Sequence, residues 1–246
     1  MKQQVPVQVA IAIQNLSFSY QNRLSVLQNL NLTIRAGERV GLIGANGSGK
    51  TTLFLLTCGV LKPSAGNILL FDKPIVVGEF RPEIGLVFQN PNDQLFLPSV
   101  RDDIAFGPEN MGLSATEVEE RIQEAILLTG VQSLIERVPH HLSGGEKCMV
   151  AIAGVLAMRP QFVLYDEPSA NLDMRSRRRL IQFLQRSPQT IAISSHDLEL
   201  ILEVCDRVLL LGEGQIIADG NPRDVMGDQQ LMEAHGLEKP FSLTTR

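Results

Sequence analysis

A glycine-rich segment in the first quarter of the chain has the residue types and the spacing that hold a phosphate group. It reads Gly44-Ala-Asn-Gly-Ser-Gly-Lys50-Thr51 and fits the pattern G-x-x-x-x-G-K-[ST]; we call it the P-loop. Glycine lets the backbone approach phosphate oxygens closely and adopt positive φ angles. Lysine adds a positive charge that can reach the β- and γ-phosphates, and a hydroxyl can join the shell of a magnesium ion. The segment therefore predicts a site for the phosphates of a nucleotide.

The residues on either side predict that the P-loop links a strand to a helix. Residues 40–43 are apolar and end at Gly44, and a helical apolar pattern begins at Thr52. In this order the free backbone N–H groups and the positive end of the helix point towards the phosphates. A glycine-rich turn without a ligand is the alternative. We expect the following residues to contact the nucleotide: Gly44, Ala45, Asn46, Gly47, Ser48, Gly49, Lys50, Thr51 and Thr52.

Two carboxylates stand at the end of another apolar strand, which reads Phe162-Val-Leu-Tyr-Asp166-Glu167. Ligands of α/β sheets collect at the carboxyl ends of the strands, so we expect both side chains beside the phosphate site. Asp166 is then suited to hold magnesium through water, and Glu167 to act as a general base or to position an attacking water. The alternative is a strand that ends in a charged turn at the surface.

A third segment, Leu142-Ser-Gly-Gly-Glu146, stands at the head of an apolar helix. Ser143 is a good N-terminal cap, and Gly144 and Gly145 leave the first N–H groups of the helix uncovered. This combination predicts an anion site, although the P-loop of the same chain already supplies one. A capped helix without a ligand is the alternative.

Composition restricts the class of protein. The chain has 246 residues and a formal net charge of -5, which argues against broad nucleic-acid binding, because such domains are usually basic. Its three cysteines have no metal-site spacing and are odd in number, which suits a reducing cytoplasm. We expect no signal peptide, and the longest apolar stretch, residues 149–158, is too short to span a bilayer. Any membrane role would therefore depend on a partner.

Hydrophobic patterns indicate how the chain is organised. Residues 5–20 alternate apolar and polar side chains and predict an edge strand. Residues 89–158 begin with a loop-rich stretch punctuated by prolines and continue with helices, the first of which has Ser114 and Glu117 as a capping box. Most other predicted strands are continuous apolar runs separated by helices, as in a parallel sheet covered on both faces. These other strands are residues 26–35, 40–43, 67–71, 85–88, 161–166, 190–194 and 207–211.

The order of the segments resembles that of the ATP-binding-cassette (ABC) ATPases over nearly the whole chain. The P-loop is followed by Gln89, by residues 142–146, by Asp166-Glu167, by the run Ser169-Ala-Asn-Leu-Asp173 and by His196. Several independent motifs in one order make the resemblance specific. It implies that the protein hydrolyses ATP, with ATP and Mg2+ as cofactors.

The resemblance also implies the fold class. We expect an α/β protein with a P-loop NTPase core built on a mostly parallel sheet, an N-terminal antiparallel β-subdomain and an inserted α-helical subdomain. A single ABC ATPase domain would cover residues 1–246. The RecA-like core and the β-subdomain would occupy about residues 1–88 and 159–222, the helical subdomain about 89–158, and a short helical tail about 223–246.

By position, the resemblance assigns roles to single residues. Tyr20 would stack on the adenine ring, and His196 would contact the γ-phosphate. Gln89 would touch magnesium and the attacking water and would sense the transport partner. The magnesium ligands would be Thr51, Gln89 and Asp166, and the catalytic residues Glu167, His196 and Gln89.

The resemblance further implies a head-to-tail pair of ATPase subunits, expected to be two copies of this chain. In such a pair, the helix start of one subunit completes the nucleotide site of the other. The residues that would do so are Ser143, Gly144, Gly145 and Glu146. Three residues nearby depart from the family pattern: Cys148 replaces a polar or basic residue, Met149 the usual arginine, and Asn171 a common glycine.

Several runs are similar to the ATPases of energy-coupling-factor (ECF) importers, namely residues 89–96, 103–108, 140–147 and 150–154. Within that group, residues 139–158 look more like the nickel/cobalt branch than the vitamin branch. The resemblance implies a peripheral motor subunit at the cytoplasmic face of the membrane that energises uptake of cobalt or nickel ions. Its partners would be an integral membrane coupling subunit, engaged near Gln94, and a substrate-capture subunit, and it would bind no nucleic acid.

Three other functions stay open. An ECF importer of this kind could carry a vitamin. A soluble ABC clamp acting on nucleic acid or ribosomes usually has a tandem cassette or a long coiled-coil insertion, whereas no heptad run separates Gln89 from Ser143. A P-loop kinase for small molecules would leave residues 142–146 unexplained.

Overall fold

The computed structural model of the chain describes residues 8–21 and 25–244. These residues form two compact units. The first unit contains the described residues up to Arg81 together with those from Pro188 onwards, and the second is Pro82–Ser187. No helix in the described stretches combines the length and the apolar character that crossing a lipid bilayer requires.

The described residues form both strands and α-helices. The strands are β1 Val9–Phe18, β2 Leu27–Arg35, β3 Arg39–Ile43, β4 Ala65–Leu70, β5 Lys73–Pro74, β6 Ile84–Val87, β7 Phe162–Asp166, β8 Thr190–Ser194, β9 Arg207–Gly212 and β10 Gln215–Gly220. The α-helices are α1 Lys50–Thr57, α2 Val100–Asn110, α3 Ala115–Thr129, α4 Gly144–Leu156, α5 Met174–Arg186, α6 Leu198–Val204, α7 Pro222–Gly227 and α8 Gln229–Ala234. The predicted α/β class, with an N-terminal antiparallel sheet and an inserted helical region, is confirmed.

The antiparallel sheet of the first unit has the strand order β2-β1-β4-β5. Strand β1 lies between two neighbours, because Ile11 is opposite both Ile34 of β2 and Leu70 of β4. The prediction of an edge strand over residues 5–20 is therefore wrong; residues 5–7 of that range lie outside the described residues. Alternating apolar and polar side chains indicate that one face of a strand is buried, but they carry no information about how many neighbours the strand has.

A second group of strands in the first unit places the P-loop. Strand β3 pairs in parallel with β8, where Val40 is opposite Ala192, and with β9, where Val40 is opposite Arg207. Because parallel strands end at the same edge of a sheet, Gly44 and the residues after β8 lie at one edge. Strand β10 extends this group antiparallel to β9. It was not predicted, because its side chains alternate only between exposed and half-buried positions.

In the second unit, strands β6 and β7 pair in parallel. Helix α4 packs on β6 at Gly85, where a Cβ atom would collide with the side chain of Val155. The parallel pairing brings the residue after β6 and the residue after β7 to the same edge of the pair. The second unit therefore places the segments of Gln89 and Glu167 beside each other.

The loop-rich start predicted for the helical region is wrong in part, because Val100–Asn110 forms helix α2. Ser99 caps this helix by accepting a hydrogen bond from the N–H of Asp102 at 3.1 Å. Pro108 lies inside the helix. Since it stands in the last turn, its missing N–H removes a single hydrogen bond and the helix tolerates it.

A buried carboxylate on α2 shapes the loop before the helix. Asp103 is 8% exposed, and its Oδ1 accepts hydrogen bonds from the N–H groups of Phe96 and Leu97, both at 3.1 Å. Burial raises the pKa of Asp103 above its usual range, although the two hydrogen bonds favour the ionised form. The ionised carboxylate is therefore held at a cost in stability.

We predict that Asp103→Asn changes how stability depends on pH. The contribution of protonated Asp103 to native stability is complete below the unfolded pKa, about 3.9, and is lost as the pH rises through the raised folded pKa. Asparagine keeps an acceptor for Phe96 and Leu97 and has no charge to bury. The melting temperature of Asp103→Asn minus that of the native protein should therefore rise with pH above about 4 in calorimetric scans. A difference in melting temperature that does not change with pH would contradict the prediction.

Candidate functional site

The P-loop follows β3 and leads into helix α1, as predicted. Gly44, Gly47 and Gly49 have positive φ angles of 154°, 79° and 107°. A Cβ atom on Gly44 would collide with the carbonyl oxygen of Leu211 in β9, so this position requires glycine. Gly49 is the N-cap of α1, and as a glycine it has no side chain that could accept hydrogen bonds from the first N–H groups of the helix. The first N–H groups of the helix are therefore suited to an anion.

The side chain of Lys50 folds back onto the backbone of this loop. It is buried, at 7% exposure, and its Nζ donates to the carbonyl oxygens of Gly44 at 2.8 Å and Ala45 at 3.3 Å. The Nε2 atom of His196, which follows β8, lies 3.3 Å from Nζ. Because an ammonium group only donates, Nε2 is the acceptor in this contact, and we assign the ring proton to Nδ1. The first unit thus brings together the predicted lysine and the predicted histidine.

The P-loop also holds a buried hydroxyl. Ser48 Oγ is buried and has no hydrogen-bond partner among the described residues. Leaving such a group unsatisfied costs on the order of 1–3 kcal/mol. Phosphate oxygens would satisfy it, and they would also suit the N–H groups at the start of α1 and the positive charge of Lys50. The residues present therefore fit a nucleotide phosphate.

Tyr20 lies beside the start of the same helix. Its hydroxyl group is 3.2 Å from Thr52 Oγ1, and its ring meets the ring of Phe18 edge to face, with the centroids 4.8 Å apart. The residue is 37% exposed, so part of the ring is open to a flat ligand. Stacking on adenine stays a prediction.

The two carboxylates at the end of β7 are buried, with Asp166 at 3% and Glu167 at 8% exposure. The alternative of a charged turn at the surface is therefore wrong. Glu167 has a φ of 47°, in the left-handed region that residues with a Cβ seldom adopt. Such a conformation costs on the order of 1–3 kcal/mol and is found most often at functional sites. The carbonyl of Glu167 accepts the N–H of Ala170 at 3.0 Å, which closes a sharp turn after the strand.

Helix α4 begins with the predicted cap, Ser143. Its Oγ accepts the N–H of Glu146 at 3.3 Å, and Glu146 Oε2 accepts the N–H and the hydroxyl of Ser143, both at 2.8 Å. These hydrogen bonds to Ser143 lower the pKa of Glu146. Glu146 therefore holds Ser143 in place, and its contact with a partner's nucleotide stays a prediction. The capping box predicted at Ser114 and Glu117 is confirmed at the start of α3.

The two glycines after Ser143 have different surroundings. Gly144 is exposed, and among the described residues a Cβ atom there would come near only the carbonyl oxygen of Asn171, at 3.8 Å. A Cβ atom on Gly145 would lie 2.6 Å from the Cβ of Ser176 in α5. Gly144 is thus open to a ligand or a partner, whereas Gly145 is required for the packing of α4 against α5. From the sequence we predicted the same role for both glycines, which was to leave the first N–H groups of the helix uncovered.

A cavity of about 270 Å³ lies in the second unit beside Gln89. The residues after β6, the start of α4 and the segment after Glu167 line it, so Gln89, Gly144 and Asn171 share one space. Asn171 has a φ of 64°, a left-handed conformation that asparagine adopts more readily than most residues. This tolerance explains why asparagine can stand at a position where the family pattern has glycine.

The C-terminal tail reaches the P-loop, which the sequence did not indicate. A Cβ atom on Gly212 at the end of β9 would lie 2.9 Å from Nδ1 of His235. The next residue, Gly236, lies beside Ala45 of the P-loop, 3.8 Å from its Cβ when a Cβ atom is added. No short motif signals this contact, because it joins residues that are far apart in the chain.

Comparison with known proteins places these features among ABC ATPases. The family model described as ABC transporter matches residues 27–170. A Synechocystis sp. protein named "Putative ABC transporter ATP-binding protein" is 58% identical over 97% of this chain and 84% of its own length. The energy-coupling factor transporter ATP-binding protein EcfA of Methanothermobacter thermautotrophicus is 44% identical over 94% of this chain and 76% of its own. The structure of cbiO1 from Clostridium perfringens, described as part of the ABC transporter complex cbiONQ, is 36% identical, with a TM-score of 0.82 over 92% of this chain and 94% of that one.

We predict that alanine has different effects at the two glycines of α4. Gly144→Ala should leave the free energy of unfolding unchanged or raise it by up to about 1 kcal/mol, because alanine favours the helix and meets no close neighbour. Gly145→Ala should lower it by about 1–3 kcal/mol, because the methyl group overlaps Ser176. Urea unfolding followed by circular dichroism measures both values. Equal losses in the two variants would contradict their separate roles.

Proposed function

Since the chain belongs to the ABC transporter ATPases, in the group that includes the energy-coupling-factor ATP-binding proteins, we propose that it energises the uptake of cobalt or nickel ions through a membrane partner. Binding and hydrolysis of ATP are the activity of this family. The observation that carries the importer proposal is the similarity to EcfA along almost the whole chain. The resemblance of residues 139–158 to the nickel/cobalt branch supports the choice of a metal substrate.

The P-loop residues would bind the phosphates of ATP. Lys50 would exchange its hydrogen bonds to backbone carbonyls for bonds to the charged β- and γ-phosphate oxygens, which are the stronger acceptors. Ser48 and the first N–H groups of α1 would donate to the same phosphates. The partly exposed ring of Tyr20 would stack on adenine.

Glu167 would serve as the base in hydrolysis. Its carboxylate would take a proton from water while the water oxygen bonds to the γ-phosphorus and the bond to the bridging oxygen of ADP breaks. The turn at Glu167, with its positive φ, sets the direction in which this side chain leaves the strand. His196 would contact the γ-phosphate, and its position 3.3 Å from Lys50 supports that role.

The donor set predicted for Mg2+ suits that ion. Thr51 offers a hydroxyl, Gln89 an amide oxygen and Asp166 a carboxylate, and oxygen atoms are the ligands that Mg2+ prefers. The bound ion would supply positive charge to the phosphate oxygens.

We further propose that two copies of the chain pair head to tail at the cytoplasmic face of the membrane. The exposed Ser143 and Gly144 support this arrangement, because they leave the start of α4 accessible to the nucleotide of a second copy. An integral membrane coupling subunit and a substrate-capture subunit would complete the importer. The ATPase itself would bind neither the metal cargo nor nucleic acid.

We predict that Glu167→Gln slows ATP hydrolysis by about two to four orders of magnitude, because an amide cannot accept the proton of the attacking water. The two side chains have the same shape, so ATP affinity should stay within about twofold of the native value. A phosphate-release assay and titration with a fluorescent ATP analogue measure the two quantities. Glu238→Gln, at an exposed position of the tail, is the matched control. Unchanged turnover in Glu167→Gln would remove the base role.

The importer proposal is tested with the complex that the tagged chain carries from its native membranes. Reconstituted into vesicles, this complex should accumulate radiolabelled cobalt or nickel when ATP is supplied on the side of the ATPase, and the Glu167→Gln complex should not. Accumulation of a vitamin without metal uptake would overturn the metal assignment. Co-purification with ribosomes or nucleic acid, and with no integral membrane protein, would overturn the transport function.

A further inference from the structure

Helix α4 is tied by a side chain to the segment that follows Gln89. Lys147, in the first turn of α4, donates a hydrogen bond from Nζ to Oδ1 of Asn92 at 2.8 Å. Asn92 is itself held, because its N–H and its side-chain amide both donate to Oδ1 of Asn90, at 3.2 and 2.9 Å. Asn92 belongs to a short 3-10 turn, Pro91–Asp93, and Asn90 is the N-cap of that turn. The lysine therefore binds a segment whose conformation is fixed by its own hydrogen bonds.

A second tie runs through Gln94. Its Nε2 donates to the carbonyl oxygen of Ala151 in α4 at 3.0 Å, and its Oε1 accepts the N–H of Phe88 at 3.2 Å. Phe88 directly precedes Gln89 in the chain. One side chain thus spans from the backbone beside Gln89 to the backbone of α4.

A third tie connects α4 to the segment after the proposed base. The thiol of Cys148 donates to the carbonyl oxygen of Pro168 at 3.4 Å, and Pro168 directly follows Glu167. Burial raises the pKa of Cys148 to about 12, so the thiol keeps its proton and stays a donor. Cys148, which departs from the family pattern, therefore makes a polar contact of its own with the segment after Glu167.

We propose that Lys147 and Gln94 are positioning residues that make α4 move together with the Gln89 segment. Nucleotide bound at Gln89 then changes how Ser143 and Gly144 are presented to a second copy of the chain. This inference rests on the proposed function, because it links the two nucleotide sites of one pair. A rigid helix carries a displacement at Lys147 or Ala151 to its first residues, since these positions lie about one and just over two turns from Ser143.

The tie made by Lys147 contributes little to folding, which separates its coupling role from a structural one. Asn92 is exposed and Lys147 half-buried, and hydrogen bonds in such positions add little stability. Helix α4 is held in the fold by its apolar face, where Val150, Ile152 and Ala153 are completely buried. Replacing Lys147 should therefore change communication between sites and leave the unfolding temperature nearly unchanged. The hydrogen bond from Gln94 to Ala151 is partly buried and contributes more, so the unfolding temperature of the Gln94 variant is measured beside its pairing.

The test uses the full chain carrying Glu167→Gln, in which bound ATP persists. Lys147→Met combined with Gln94→Glu removes both donors to the ties, and Gln94→Glu still accepts the N–H of Phe88. Sedimentation velocity at a series of ATP concentrations should show the dissociation constant of the ATP-loaded pair raised by about three- to tenfold. Nucleotide affinity of the single subunit, measured with ADP, should stay within about twofold. Lys147→Arg with native Gln94 retains a donor and should pair like the parent.

A cycle with Gln89→Ala identifies the route of the effect. If the ties act through the Gln89 segment, breaking them in a Gln89→Ala chain should weaken pairing no further. An additive loss would overturn the inference, because the ties would then act on α4 alone. Unchanged pairing after the ties are broken would overturn it while leaving the proposed function intact. Failure of the Glu167→Gln parent to pair with ATP would overturn both.

Discussion

The close approach of the P-loop to strand β9 is the constraint on which the phosphate site depends. Gly44 passes so near the Leu211 carbonyl that no side chain fits, and it does so because β3 lies between β8 and β9 in parallel register. The same register sets the residue after β8, His196, within reach of Lys50. A lysine can be buried here because backbone carbonyls of its own loop accept its hydrogen bonds.

The second unit also places polar groups at the end of a strand. Its strand end carries two buried acidic side chains, and the backbone at Glu167 is strained to direct one of them. Helix α4 rests on this unit through a glycine at each of two contacts, Gly145 of α4 against Ser176 and Gly85 of β6 against Val155. Both contacts remove space that a side chain would need. Helix α4 is therefore packed closely against α5 and β6, while Ser143 and Gly144 stay exposed.

Local patterns predicted much of this fold. The P-loop, the continuous apolar strands, the capping box of α3 and the cap Ser143 of α4 depend on residues that are near one another in the chain, so spacing alone reveals them. Two predictions failed, and one strand was missed, where neighbours from elsewhere in the chain decide the outcome. Alternation in β1 could not show that the strand has two partners, the prolines before and within α2 concealed a helix, and the weak alternation of β10 concealed a strand.

By itself the sequence determined the chemistry that is available: a phosphate loop with its lysine, a pair of carboxylates at a strand end, and a capped helix start. Each of these is a local property of a few consecutive residues. Only the tertiary structure decided which groups meet and why a residue type is needed. Gly144 and Gly145 look equivalent in the sequence, yet one faces open space and the other a serine of α5. The physical reason is that steric exclusion and hydrogen bonding act between atoms that are close in space, and the order of residues does not specify which distant segment will be close.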